Sequence, residues 1–147
     1  MKLLFLPHAG GSAKSYCSFK RFFPNELSVV PMELSGHFTR SSEPLFTDIP
    51  SCVSDLIDKH YDTLSCGDYA VFGHSLGTLL ASELVRQAKE RGLPLPYHVF
   101  LSGRCAPNCN VQCFKNSLNA SDSEIISFFK SSVSQTPPII QDEELIR

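Results

Sequence analysis

A serine stands between two glycines in Gly73-His74-Ser75-Leu76-Gly77. The stretch follows the apolar run Tyr69-Ala70-Val71-Phe72 and leads into a helix-like run over 76–91. Strand, sharp turn and helix, with a serine at the tip, is the context in which G-x-S-x-G forms a nucleophile elbow. In so tight a turn, side chains at Gly73 and Gly77 would collide with the neighbouring strand and helix. The serine Oγ then projects above the sheet at a helix N-terminus. There, N–H groups and the helix dipole favour a developing negative charge. The chemistry implied is acyl transfer with Ser75 as the catalytic nucleophile.

Attack on an ester or thioester creates an oxyanion that needs two N–H donors. One belongs to the residue after the nucleophile, Leu76, and the other to the loop after an early strand. Ala9-Gly10-Gly11 suits that loop, because small residues let the backbone approach a substrate. The serine also needs a base, and the elbow arrangement runs Ser, then Asp or Glu, then His. Of five histidines, His8, His37, His60, His74 and His98, only His98 follows Ser75. It stands at the entrance of a strand, the wrong end of the sheet for catalysis. Glu83 and Glu90 belong to the elbow helix, and no histidine follows Asp122 or Asp142. The order is not completed within these residues. His74 is expected to pack or hydrogen-bond the elbow, and His8 to line the facing loop.

The elements that must position Ser75 follow from hydrophobic spacing. Residues 3–6 form an apolar run bounded by Pro7, which suits a central strand. A helix over about 15–23 ends at Pro24, and a strand covers 28–32. A polar loop from Ser35 reaches Asp48, which can cap a helix over 49–63 with Val53, Leu56 and Ile57 inward. The strand over 69–72 precedes the elbow. The elbow helix carries Leu76, Leu79, Leu80, Leu84 and Ala88 on one side and has Gly92 at its C-terminal cap. A strand over 97–102 comes next. This β-α-β-α-β-α-β alternation predicts an α/β fold, a parallel sheet with helices on both faces. The loops at 7–12, 73–77 and 103–107 leave the carboxyl ends of its strands, where catalytic groups gather. Ser121-Asp122-Ser123-Glu124 then reads as a capping box. It opens a helix with Ile125, Phe129 and Val133 along one side, broken at Pro137-Pro138, with a second helix from about Asp142.

Composition narrows the classes. The 147 residues are 42% hydrophobic and 19% charged with net charge −2, which is ordinary for a globular domain. No Lys/Arg-rich tract and no aromatic-basic interleaving points to nucleic acid. No apolar run approaches the roughly 18 residues that span a membrane. The N-terminal apolar core, Leu3 to Leu6, is shorter than the roughly 7–15 residues of a signal peptide, so a cytoplasmic location is expected. The six cysteines, Cys17, Cys52, Cys66, Cys105, Cys109 and Cys113, are expected to be reduced thiols. The four-residue spacing of the last three lacks the pairing and fourth ligand of a metal site. Asn119-Ala120-Ser121 matches a glycosylation sequon that has no consequence in a cytoplasmic chain.

Several stretches together resemble type II thioesterases, stand-alone α/β-hydrolases that accompany nonribosomal peptide and polyketide synthetases. Residues 4–12 resemble the opening strand and loop, Gly73–Gly77 the elbow, and Leu101-Ser102-Gly103-Arg104-Cys105-Ala106-Pro107 the following strand end and loop. Residues 121–146 are similar to the helical lid. One departure is Leu34-Ser35-Gly36-His37, where the family usually has Pro-Gly-Arg. The resemblance implies one incomplete α/β-hydrolase domain, with a core over 1–107, the start of a lid over 108–147 and the C-terminal strands missing. It implies hydrolysis of acyl or aminoacyl thioesters from the phosphopantetheine arm of a carrier protein. Ser75 is then the nucleophile, and the backbone N–H groups of Ala9 and Leu76 form the oxyanion hole. It implies no metal or organic cofactor, an acyl or peptidyl carrier protein as partner, and neither nucleic acid nor membrane. The family's acid and histidine lie beyond the lid, so the chain is expected to be the N-terminal part of such an enzyme. The alternatives are a carboxylesterase or lipase, and a truncated remnant without catalysis.

Overall fold

The structure, a computed structural model, describes residues 1–105 together with Ser121, Ser123, Glu124 and Ser127. Two compact units divide the chain, Met1–Arg104 and Cys105–Arg147.

The first unit is built on four strands, β1 (Lys2–Leu6), β2 (Ser28–Pro31), β3 (Tyr69–His74) and β4 (Val99–Ser102). All pairings are parallel, and the order across the sheet is β2-β1-β3-β4. Successive side chains of β1 and β3 alternate between faces. Leu4 and Leu6 join Tyr69 and Val71 in the larger core, beneath Val53, Leu56 and Ile57 of α2 (Ile49–Lys59) and Leu80 and Leu84 of α4 (Leu76–Glu90). Leu3, Phe5 and Ala70 form the smaller core on the other face with Tyr16 and the half-buried Phe72. Both central strands are nearly continuous apolar runs because both of their faces carry apolar packing.

Local chemistry fixes the ends of the helices. The Asp48 carboxylate accepts the Ser51 N–H at 2.7 Å, the N-cap expected for α2. Beyond α4, Gly92 adopts φ +68°. Its N–H donates to Lys89 O (3.2 Å) and the Leu93 N–H to Ala88 O (2.9 Å), a Schellman cap. The Tyr69 hydroxyl donates to Pro94 O at 2.7 Å, and burial pushes it up to about 12.

Three elements differ from the sequence reading. The single helix expected over 15–23 is one α turn, α1 (Lys14–Cys17), that tightens into a 3₁₀ segment, Ser18–Phe22. Phe19 packs with its ring centroid 5.6 Å from that of Phe5 while staying partly exposed, and Phe22 is more exposed still. The helix expected over 49–63 breaks at His60 (φ −112°, ψ 19°), and α3 (Tyr61–Ser65) continues beyond it. On α4, Leu79 is only half-buried, while Thr78 and Gln87, absent from the expected apolar side, are buried.

In the second unit the Glu124 carboxylate accepts from both the Ser121 N–H and the Ser121 hydroxyl, each at 2.8 Å. The first of these bonds is the Glu half of the expected capping box, and it holds the Glu124 carboxyl below its ordinary range. The expectations for Cys109, Cys113, Asn119, Ile125, Phe129, Val133, Pro137, Pro138 and Asp142 lie outside the described residues.

Candidate active site

Ser75 links β3 to α4 with φ 54° and ψ −114°, a left-handed conformation rare for a residue with a Cβ. Its N–H donates to Ser102 O on β4 at 2.9 Å. Its carbonyl accepts the Thr78 N–H (3.0 Å) and the Thr78 hydroxyl (2.7 Å). The turn is therefore held from both sides. The two flanking glycines are required by contact rather than by φ. A Cβ on Gly73 would lie 2.1 Å from Gly77 O, and one on Gly77 would lie 2.4 Å from Leu6 O. The second contact presses the start of α4 against the end of β1. It brings the loop that begins at Pro7 beside the Leu76 end of the helix.

Leu76 is the first residue of α4, so its N–H has no acceptor within the helix. In the facing loop, Gly10 has φ +70° and the Gly11 N–H donates to His8 O at 2.9 Å. Ala9 stands exposed at the tip of this turn. The structure thus brings together the elements carrying Ala9, Ser75 and Leu76.

The histidines are placed otherwise. His74 Nδ1 lies 3.1 Å from Ser102 Oγ, and its ring covers Gly103, where a Cβ would be 2.4 Å from His74 Cε1. His8 Nδ1 lies 2.9 Å from Ala9 O, with its ring edge-on to His74 at 6.5 Å between centroids. His37 Nδ1 lies 3.0 Å from Ser35 O. Burial pushes His60 below its ordinary value. His98 precedes β4, and its carbonyl accepts the Val71 N–H. Four residues of strand separate Val71 from Ser75, on the order of 13 Å. Among the described residues, no histidine hydrogen-bonds Ser75 Oγ.

Beside the elbow, a cavity of about 220 Å³ opens between the loop after β2, the first turn of α2 and the first turn of α4. Its lining includes Gly10, Leu34, Phe46, Cys52, Leu76 and Leu80. The loop is anchored by Arg40, which is buried. Its guanidinium donates to Asp55 at 2.7 and 2.8 Å and to Glu33 O at 3.0 Å. Arg40 Nε donates to Glu43 at 3.0 Å, and this bond, the larger cause, holds the Glu43 carboxyl down to about 2. Neither the cavity nor the Arg40 anchor was anticipated from sequence. The one available signal was the Arg40–Glu43 spacing, since Asp55 arrives from another element.

Among the described residues, no cluster of His, Cys, Asp or Glu could hold a metal ion, and no helix is long and apolar enough to cross a membrane. Cys17, Cys52, Cys66 and Cys105 are free thiols.

The chain matches the family model described as Thioesterase domain across residues 1–147. The gramicidin S biosynthesis protein GrsT of Aneurinibacillus migulanus is 31% identical over 147 residues, 99% of this chain and 56% of the relative. The solved structure of ClbQ from the colibactin NRPS/PKS pathway is 29% identical with a TM-score of 0.77, covering 99% of this chain and 60% of that one. RedJ, the thioesterase from the prodiginine biosynthetic pathway in Streptomyces coelicolor, is 29% identical with a TM-score of 0.75, covering 88% and 48%. The chain spans about half the length of the relatives it matches.

Proposed function

The chain belongs to the thioesterase family, its parallel sheet and flanking helices are of the α/β-hydrolase kind, and from that premise we propose a specific reaction. The whole enzyme hydrolyses acyl or aminoacyl thioesters from the phosphopantetheine arm of a carrier protein in nonribosomal peptide or polyketide synthesis. In this reading Ser75 Oγ attacks the thioester carbonyl and the C–S bond breaks. The pantetheine thiol leaves, and water releases the acyl group from the serine. The Ala9 and Leu76 N–H groups hold the oxyanion of each tetrahedral intermediate. No metal or organic cofactor takes part, and the setting is cytoplasmic.

The observation that carries the reading is the strained Ser75 at the mouth of α4, with both flanking glycines packed too closely to admit a side chain. Strain of about 1–3 kcal/mol at such a residue persists only when its surroundings over-determine it. The names of GrsT and ClbQ, each tied to a synthetase pathway, support the substrate class.

A remnant without catalysis is favoured by one observation, the lack of a histidine on Ser75 Oγ among the described residues. A fluorophosphonate separates the two readings. Peptide mass spectrometry is expected to find the phosphonyl group on Ser75 and to find the Ser75→Ala protein unlabelled. Labelling no stronger at Ser75 than at other serines would sink the hydrolase reading.

A further inference from the structure

Resting on the proposed hydrolase, we propose that Glu33 is a positioning residue of the oxyanion hole. Its carboxyl group holds the loop over 8–13 by the Ala13 N–H and so sets where the Ala9 N–H stands. Glu33 lies just beyond β2 and is only 8% exposed. Its Oε1 accepts the Ala13 N–H at 3.2 Å. Its Oε2 is buried with no hydrogen-bond partner among the described residues. Burying a carboxyl group with one oxygen unpaired costs stability, so stability alone does not account for a Glu at this position.

Glu33 stands in the middle of a chain of contacts that ends at the loop. Asp55 on α2 holds the Arg40 guanidinium, Arg40 Nη1 donates to Glu33 O at 3.0 Å, and Glu33 Oε1 in turn holds Ala13. The loop is thereby clamped at both ends. Before it, Leu6 O presses on Gly77, where an added Cβ would come within 2.4 Å. After it stands the Ala13–Glu33 bond. Between the clamps the Gly11 N–H turns back to His8 O at 2.9 Å, with Gly10 at φ +70°. Tyr16 is also buried, and its hydroxyl faces the His8 backbone without completing a hydrogen bond. It fills space beside the turn but does not hold it. A turn carried between two clamps shifts as a body when one is released. A misplacement of about 1 Å at a reacting group costs about a hundredfold in rate.

Two variants of the 147-residue protein remove the bond from opposite sides. Glu33→Leu takes away the acceptor. Ala13→Pro takes away the donor, and the Ala13 φ of −53° is one that proline adopts. Ala13→Pro leaves Glu33 in place and keeps the test decisive where Glu33→Leu does not fold. The first readout is the rate of fluorophosphonate capture at Ser75, because the phosphoryl oxygen occupies the oxyanion hole. Each variant is expected to slow capture by about tenfold to a hundredfold, and the double variant by no more than either alone. Glu33→Gln keeps an acceptor for Ala13, and among the described residues no donor bonds Oε2 to be opposed by the new amide. Its capture rate should return to within about threefold of wild type. The second readout is amide exchange. The Gly11 N–H should exchange at least about tenfold faster in both single variants, while the Leu93 N–H in the α4 cap keeps its wild-type rate. A loss of stability spread over the fold would move both amides. Multiplicative losses in the double variant, slow capture in Glu33→Gln, or Gly11 and Leu93 moving together would each overturn the assignment. Wild-type protein that is not captured at Ser75 would refute the hydrolase reading and the assignment with it. Wild-type capture that the variants leave unchanged refutes the assignment alone.

Discussion

Ser75 holds an unfavourable φ because its N–H is tied to β4 and its carbonyl to Thr78, while Gly73 and Gly77 leave the turn no room to relax. Glycine adopts such a φ without a Cβ penalty. Ser75→Gly is therefore expected to be about 1 kcal/mol more stable than Ser75→Ala in urea denaturation, and equal stability of the two would count against strain at this turn. Gly77→Ala is expected to cost about 2–3 kcal/mol in the same assay, because the carbonyl its Cβ meets belongs to β1. Both glycines were legible in the sequence because the strand, tight turn and helix that require them are consecutive in the chain, although the carbonyl that excludes a side chain at Gly77 belongs to Leu6. Arg40 was not. Its partners include Asp55 on α2, and nothing between the two residues signals that the loop folds back. Removing one partner of a buried ion pair costs about 3–5 kcal/mol, but Asp55 and Glu43 reach solvent, so Arg40→Met should cost about 2 kcal/mol. Glu43 is held down to about 2 from its ordinary 4.5. A lowered folded-state value contributes stability that is complete above the unfolded value and lost as pH falls through the folded one. The wild-type protein should lose this contribution between about pH 4.5 and about 2, and Glu43→Gln should flatten that part of the profile.

Elements were legible where their ends carry distinctive chemistry. Asp48 and Gly92 each marked a helix end, and both cap as their residue types require. Asp48→Ala should lower stability by about 1 kcal/mol, with the loss confined to caps and leaving the sheet intact, as amide exchange of α2 against β1 would report. The break at His60 has no such marker, because neither Gly nor Pro stands there. The 3₁₀ ending of α1 follows from tertiary contact, with Phe19 packing on Phe5 across the chain. The loop after β2 has no apolar periodicity, and so its role in the cavity was invisible until Arg40 and Gly36 were seen to pin it.

For the whole molecule, alternation of strand and helix made the parallel sheet legible, but the order β2-β1-β3-β4 depends on crossovers that the alternation leaves open. Among the described residues, that order puts β4 at an edge of the sheet. Val99, Phe100 and Leu101 are 39%, 50% and 49% exposed, although their apolar run is that of a strand covered on both faces. Beside them, on the face opposite α2 and α4, an apolar hollow of about 310 Å³ is lined by Leu3, Phe5, Phe23, Phe72 and Phe100. An apolar surface continuous with an edge that no other described strand pairs invites association, and a net charge of only −2 opposes it weakly. The 147-residue protein is thus expected to show concentration-dependent association in sedimentation velocity. Phe100→Lys, which places a charge on that edge without disturbing a buried residue, should shift the distribution toward monomer. An unchanged distribution would mean that another surface drives the association. A monomeric wild-type protein at the highest concentrations would mean that the edge is protected in solution.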